Sequence, residues 1–338
     1  MKEKYAVILV TGGSGFIGTN FIRFWIRNHQ RCKVINLDKL TYAGTPNNLK
    51  DIELSANYQF IKGDICDFDL VSRIVENLKP DCIINFAAET HVDRSLDDPR
   101  VFVQTNISGT HNLLEISLKH KIKRFHQVST LNFSEKGEKD EVLLSSNPYM
   151  ASKVAADHLV SSFHRSFGLP ITITKCSNNY GPYQHPEKFI PRMITNLIEN
   201  KKILIYDKGR EIRDWLYVED NCRAIEAVLI NGIVGDSYHV GSAARDINNL
   251  ELAKMILGTM NKTEAWIEFI PGRPEHDYKY IIDWTKIHHE LGWSPSCELG
   301  EMLEQTVRWY QDNETWWRPL KKEADRLYVK LNKDRQSQ

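Results

Sequence analysis

The 338-residue chain has no net charge, no paired-cysteine motif and no long apolar run, and each absence removes a class of function. Lys and Arg total 44 and so do Asp and Glu, so no excess of either sign calls for nucleic acid or a membrane as partner. An anionic ligand must then be held by local charges. The six cysteines, Cys32, Cys66, Cys82, Cys176, Cys222 and Cys297, are scattered without a C-x-x-C spacing, which speaks against a zinc site and a disulfide scaffold. Reduced thiols and no metal are the expectation. The first apolar run, residues 6–10, is too short for a signal-peptide core or a membrane span and leads straight into glycines, so a cytoplasmic protein is expected. Internal repeats and low-complexity tracts are missing as well.

What the chain has is alternation. Short β-branched runs at 6–11, 33–37, 58–61, 82–86, 124–129 and 171–176 read as buried strands, with helix-like stretches at 16–28, 70–78, 107–120 and 148–167 between them. The pattern predicts an α/β fold of Rossmann type, a doubly wound parallel sheet whose ligands gather at the strand carboxyl ends.

The run Gly12-Gly13-Ser14-Gly15-Phe16-Ile17-Gly18 follows the first strand and opens the first helix, as a dinucleotide fingerprint requires. Gly12, Gly15 and Gly18 let the backbone approach a pyrophosphate, and the helix start at Phe16 and Ile17 supplies oriented N–H donors. About twenty residues on, Asp38 ends the second strand. It would accept hydrogen bonds from ribose hydroxyls and repel a 2′-phosphate, which favours NAD over NADP. Asp64 and Ile65 follow the third strand, where they either flank adenine or form an ordinary turn. Ala87 lies among small residues ending the fourth strand, where a backbone would pass close to the cofactor.

Tyr149 and Lys153 are four apart, so on a helix they share a face. A nearby ammonium favours the phenolate and lowers the tyrosine pKa, making Tyr149 an acid or base with Lys153 behind it, both against the cofactor. Thr130, ending the strand before, is placed to hydrogen-bond the same reacting oxygen. These parts serve hydride transfer to or from a hydroxyl or carbonyl. After about Cys176 the chain is richer in Pro, Tyr and Trp, with charged segments at 207–214 and 273–277. The expected organisation is an NAD-binding domain over 1–178, rejoined by a strand near 237–241, a smaller substrate-binding lobe over 179–330, and a tail at 331–338.

Several long strings are more specific than either motif: Asn36-Leu-Asp-Lys-Leu-Thr-Tyr-Ala-Gly44, Phe86-Ala-Ala-Glu-Thr-His-Val-Asp-Arg-Ser95, Cys176-Ser-Asn-Asn-Tyr-Gly-Pro-Tyr-Gln184, Pro186-Glu-Lys188 and Arg213-Asp-Trp-Leu-Tyr-Val-Glu-Asp220. In these the chain resembles the extended short-chain dehydrogenase/reductase family, and within it the nucleotide-sugar branch typified by dTDP-glucose 4,6-dehydratase. The resemblance implies that Asn179, Lys188, Arg213, Asn249, Arg273 and His276 hold the nucleoside diphosphate of a dTDP- or UDP-sugar, with Thr90 near the sugar. It also implies a homodimer through 107–120 and 148–167.

One departure stands out. The dehydratases carry Ser-Thr-Asp-Glu where this chain reads Ser129-Thr130-Leu131-Asn132. In the family mechanism hydride leaves C4 for NAD, a glutamate removes the C5 proton, an aspartic acid protonates the departing C6 hydroxyl, and hydride returns to C6. Leu131 cannot titrate, and an amide at Asn132 takes no proton near neutral pH. Three readings stay open: reduction of a 4-keto-6-deoxyhexose, a dehydratase or epimerase with relocated groups (Glu135, Cys176 or His185), and a catalytically silent nucleotide-sugar-binding subunit.

Overall fold

The computed structural model describes residues 4–131, 147–243, 247–270 and 282–336. Up to Ser177 the chain alternates strand and helix: β1 (Val7–Thr11), α1 (Phe16–Asn28), β2 (Lys33–Asp38), β3 (Tyr58–Lys62), α2 (Phe68–Leu78) and β4 (Cys82–Asn85). Then come α3 (Val92–Asp97), α4 (Pro99–Phe102), a π-helical segment (Val103–Gly109), α5 (Thr110–Lys119), β5 (Arg124–Thr130), α6 (Pro148–Phe167) and β6 (Ile171–Cys176). From Asn178 follow β7 (Asn178–Tyr180), α7 (Phe189–Ile198), β8 (Ile203–Tyr206), β9 (Trp215–Tyr217), α8 (Val218–Asn231), β10 (Ser237–Val240), α9 (Asn249–Thr259), β11 (Ile267–Ile270), α10 (Thr285–Leu291), α11 (Leu299–Asp312) and α12 (Glu314–Gln336).

Seven strands form one sheet in the order β10-β6-β5-β4-β1-β2-β3, every pair parallel. A parallel sheet is covered on both faces, which is why its strands are continuous apolar runs rather than alternating ones. β1 and β2 show it, buried at nearly every position. All six strands expected from the sequence are present. The strand order reverses between β1 and β4, so the crevice outside the carboxyl ends of those two strands is where a ligand belongs.

Two compact units divide the chain. The first comprises Met1–Ser177, Asn221–Val240 and Asp283–Ser294; the second comprises Asn178–Asp220, Gly241–Ile282 and Pro295–Gln338. The first holds the large sheet, and β10 joins it beside β6, with Ser237 opposite Ile173 and Val240 opposite Cys176. The second has two parallel pairs, β7 with β9 and β8 with β11, over a core that includes Tyr180, Trp215, Tyr217, Leu303, Tyr310 and Trp317.

Helix α6 begins and stops for local reasons. Asn147 caps it by accepting from Met150 N at 3.0 Å, Pro148 occupies the first turn, and Gly168 ends it at φ +71°. Cap and length together fix which way its Tyr149 and Lys153 face.

Candidate active site

The glycine loop is built around close approaches. Gly12 sits at φ +70°, and a Cβ there would lie 2.6 Å from Ala87 N, so a side chain would drive β1 and β4 apart. At Gly18 a Cβ would lie 2.4 Å from the Gly12 carbonyl, which would open the loop. Gly15 precedes α1 without any side-chain cap, so the first-turn N–H groups at Phe16 and Ile17 have no intrahelical acceptor. Backbone donors at the head of a 13-residue helix fit a pyrophosphate.

Asp38 is 8% exposed and orders this loop, Oδ2 accepting from Ser14 N at 2.9 Å and Oδ1 from Leu40 N at 2.8 Å. Burial raises its carboxyl pKa, and the two backbone bonds oppose that. Each oxygen keeps a lone pair for a further donor such as a ribose hydroxyl. Beneath it Asn36 donates to Ser14 Oγ and to the Tyr58 hydroxyl, fixing the loop from below. Asp64 pairs with Lys39 at 2.6 Å and accepts from Cys66 N, and Ile65 beside it is buried. Ala87 meets Gly12 directly.

The relay lies on β5 and α6. Thr130 ends β5 half-buried and Leu131, 8% exposed, follows it at once. Lys153 is buried and its Nζ donates to Val128 O at 3.0 Å, so the ammonium is tied to the strand that carries Thr130. The expected lowering of the Tyr149 pKa by Lys153 is not what this geometry gives. Burial raises the phenol, and Cys176 and Asp157 raise it further, while the Lys153 ammonium is itself lowered by burial. Desolvation outweighs the pairing because the lysine points at the Val128 carbonyl.

Of the residues assigned to a diphosphate, Asn179, Lys188, Arg213 and Asn249 fall in the second unit. Asn179 is buried on β7, and Lys188 stands immediately before α7, where no side chain caps the helix. Lys188 Nζ also lies 3.7 Å from Glu187 Oε1. An isolated antiparallel bridge between Ile212 and Asn248 sets Arg213 opposite Ile247 and Asn249 opposite Glu211. The Asn249 amide is already engaged, its Nδ2 donating to Glu211 Oε2 at 3.2 Å. Its expected role of donating to phosphate therefore needs that bond to break. Thr90 is exposed in the first unit, after β4. Arg273, His276, Asn132 and Glu135 lie outside the described residues.

Two polar residues were missed by motif reasoning. Asn106, in the π-helical segment, accepts from Glu89 N at 2.8 Å and donates to Glu89 O and to Ser152 Oγ, clamping the segment after β4 to the turn of α6 that carries Lys153. π-Helical turns concentrate at functional sites, but no residue pattern in 103–109 announces one. Asp157, one turn beyond Lys153, is the other; its i,i+4 spacing was the available signal. Among the described residues no group of three or more His, Cys, Asp or Glu is placed to hold a metal, and no helix is long and apolar enough to cross a membrane. None of the six cysteines forms a disulfide.

Residues 9–306 match the family described as GDP-mannose 4,6 dehydratase. The chain is 45% identical over 323 residues to a dTDP-glucose 4,6-dehydratase of Streptomyces niveus, covering 93% of this chain and 95% of that protein. Among solved structures it is similar to dTDP-glucose 4,6-dehydratase from Bacillus anthracis in complex with NAD, with a TM-score of 0.84 and 39% identity over 93% of this chain and 99% of that one. It is also similar to UDP-glucose 4-epimerase from Thermotoga maritima with UDP-glucose, with a TM-score of 0.83 and 29% identity over 90% and 99% of the two chains.

Proposed function

Because the chain belongs to the GDP-mannose 4,6 dehydratase family, we propose that it is an NAD-dependent nucleotide-sugar oxidoreductase acting at sugar C4, most simply reducing a dTDP- or UDP-4-keto-6-deoxyhexose. The observation that carries the reaction is Leu131, a buried hydrocarbon immediately after Thr130, where the dehydratases it resembles carry a carboxyl group. An acid and a base are each worth roughly 10²–10⁴-fold. Without the pair, elimination of water across C5 and C6 loses its proton donors and acceptors, while exchange at C4 keeps its own.

NAD, when bound at the glycine loop, supplies the hydride acceptor or donor; Gly12, Gly15, Phe16, Ile17 and Gly18 would hold its pyrophosphate and Asp38 its ribose. Tyr149 gives its proton to the C4 oxygen as that oxygen gains charge, and Thr130 donates a hydrogen bond to the same atom. Lys153 returns charge balance to the phenol. Leu131 keeps water off the ring beside them. In the second unit, Lys188 at the uncapped start of α7 and the bidentate guanidinium of Arg213 suit a diphosphate. Asn179 and Asn249, and beyond the described residues Arg273 and His276, belong to the same reading, with Thr90 toward the sugar. The same reading takes the protein as a cytoplasmic homodimer through 107–120 and 148–167, segments on which Leu118 and Phe167 are exposed.

The test mixes purified protein with dTDP- or UDP-4-keto-6-deoxyglucose and NADH. Consumption of NADH with loss of the keto sugar is the expected result; no consumption removes the reading. A second reading, a 4,6-dehydratase or 4-epimerase with relocated acid and base groups, is favoured by the 45% identity to a dehydratase. Such an enzyme recycles its NAD and converts dTDP-glucose or a UDP-sugar with no added NADH, which NMR of the products distinguishes. As an engineering check, Leu131→Asp with Asn132→Glu is expected to confer 4,6-dehydratase activity. A folded double variant that forms no 4-keto-6-deoxy product contradicts the assignment of the missing pair.

A further inference from the structure

Behind Tyr149 lies a set of buried polar groups that proton transfer at the sugar does not itself touch. Tyr149, Lys153 and Asp157 follow one another at four-residue intervals along one face of α6. Asp157 is 7% exposed; its Oδ2 accepts from Ser129 Oγ at 2.9 Å and faces Lys175 Nζ at 3.5 Å, while its Oδ1 is buried with no hydrogen-bond partner. Ser129 directly precedes Thr130, and its carbonyl accepts from Cys176 Sγ at 3.4 Å. A carboxylate at this depth is costly unless cations beside it offset the lost hydration. Lys175, on β6, is one such cation; Lys153, one turn back on α6 with its Nζ on the Val128 carbonyl, is the other, and burial still holds the Asp157 carboxyl above its usual range.

We propose that Asp157 is a positioning residue for hydride exchange at C4, its buried carboxylate, held by Ser129 and Lys175, serving as the counter-charge to the Lys153 ammonium one turn back along the same face of α6. The proposal rests on the reading of Tyr149 and Lys153 as the proton relay. The charged and titratable groups around it are Tyr149 and Lys153 on α6, Lys175 and Cys176 on β6, and His239 on β10, which is influenced by Lys175. Burial lowers the Lys153 ammonium, and Asp157 is the larger of two charges that push it back up. A relay that needs the ammonium loses activity as pH rises through the Lys153 pKa. Deleting the Asp157 charge moves that alkaline limb to lower pH, and deleting the Lys175 charge moves it to higher pH.

The experiment measures pH–rate profiles for wild type, Asp157→Asn, Lys175→Met and the double variant, with whichever substrate the protein turns over. The expected shifts are about one pH unit down, a smaller shift up, and near-cancellation in the double variant. In parallel, NMR of lysine labelled at the ε-carbon, with Lys153 assigned by its loss in Lys153→Met, reads the same shifts without turnover. A residue that merely supports the fold lowers the rate at every pH and leaves the limb where it was. A limb and a Lys153 resonance that titrate at wild-type pH in both single variants overturn the proposal; where Asp157→Asn does not fold, Lys175→Met alone decides it by the same criterion. Full turnover by Tyr149→Phe is the separate result that fails the relay reading and takes this proposal with it.

Discussion

The two units solve the interior differently. At the strand carboxyl ends of the first, Thr11 donates to Asn85, Asn85 donates to Gln127, and Ser129 donates to Asp157, all of them buried. In the second unit aromatic rings pack together within an otherwise aliphatic core, with Phe189 stacked on Trp215 and Tyr180 edge-on to Tyr217. Hydrogen bonds have direction, so a polar interior fixes the heading of each strand end and of the groups that must meet a reacting atom. Aromatic packing fixes shape, which suits holding a substrate more than transforming it. The difference suggests chemistry in the first unit and recognition in the second.

The largest expected effect tests the first half of that division. Tyr149→Phe should lower kcat by roughly 10²–10⁴-fold, with NAD binding by fluorescence titration unchanged; a rate near wild type would place the chemistry elsewhere. The second unit should be broken by packing instead. Trp317 is fully buried and its Nε1 donates to Tyr310 O at 2.7 Å. Trp317→Ala should cost about 3–5 kcal/mol, seen as a fall in urea midpoint, and a midpoint within error of wild type would mean that the aromatic core is redundant. Lys188→Ala then sharpens the contrast. Losing one charge-assisted contact of about 1.5–3 kcal/mol should raise KM roughly ten- to a hundredfold with kcat little changed, whereas a fall in kcat alone would tie Lys188 to the reaction step.

Per pH unit the smallest effect concerns His126, buried between Thr172 and Thr174 at 2.9 and 3.1 Å. Burial pulls its pKa down to about 3, with Arg124 adding to the shift. The folded state therefore favours the neutral ring, and this contribution to stability is complete above 6.5 and lost as pH falls from 6.5 towards 3. The slope is about 1.4 kcal/mol per pH unit. His126→Gln should flatten the acid side of a melting-temperature profile; an unchanged slope would assign acid sensitivity to other groups.

Much of the first unit was legible in the chain because a strand buried on both faces is a run of apolar residues, and because glycines that must pass other backbone leave a fixed spacing. The second unit was much less so. β7 and β9 are three residues each, too short for a period, and β8 finds its partner β11 some 60 residues on. Asn106 was hidden for a similar reason, since its bonds to Glu89 and Ser152 span 17 and 46 residues and no local pattern encodes them. The lowered phenol expected from Tyr149 and Lys153 failed because spacing shows that two groups share a face but not that one of them turns to a carbonyl.

The seventh strand carries a consequence for how the protein is made. β10 pairs with β6 only after the sixty residues between them have been synthesised, so until then β6 is a bare sheet edge offering unpaired N–H and C=O groups. A nascent or clipped chain that stops before Ser237 should therefore self-associate through β6, and soluble fragments should begin to appear only when the cut lies beyond Val240.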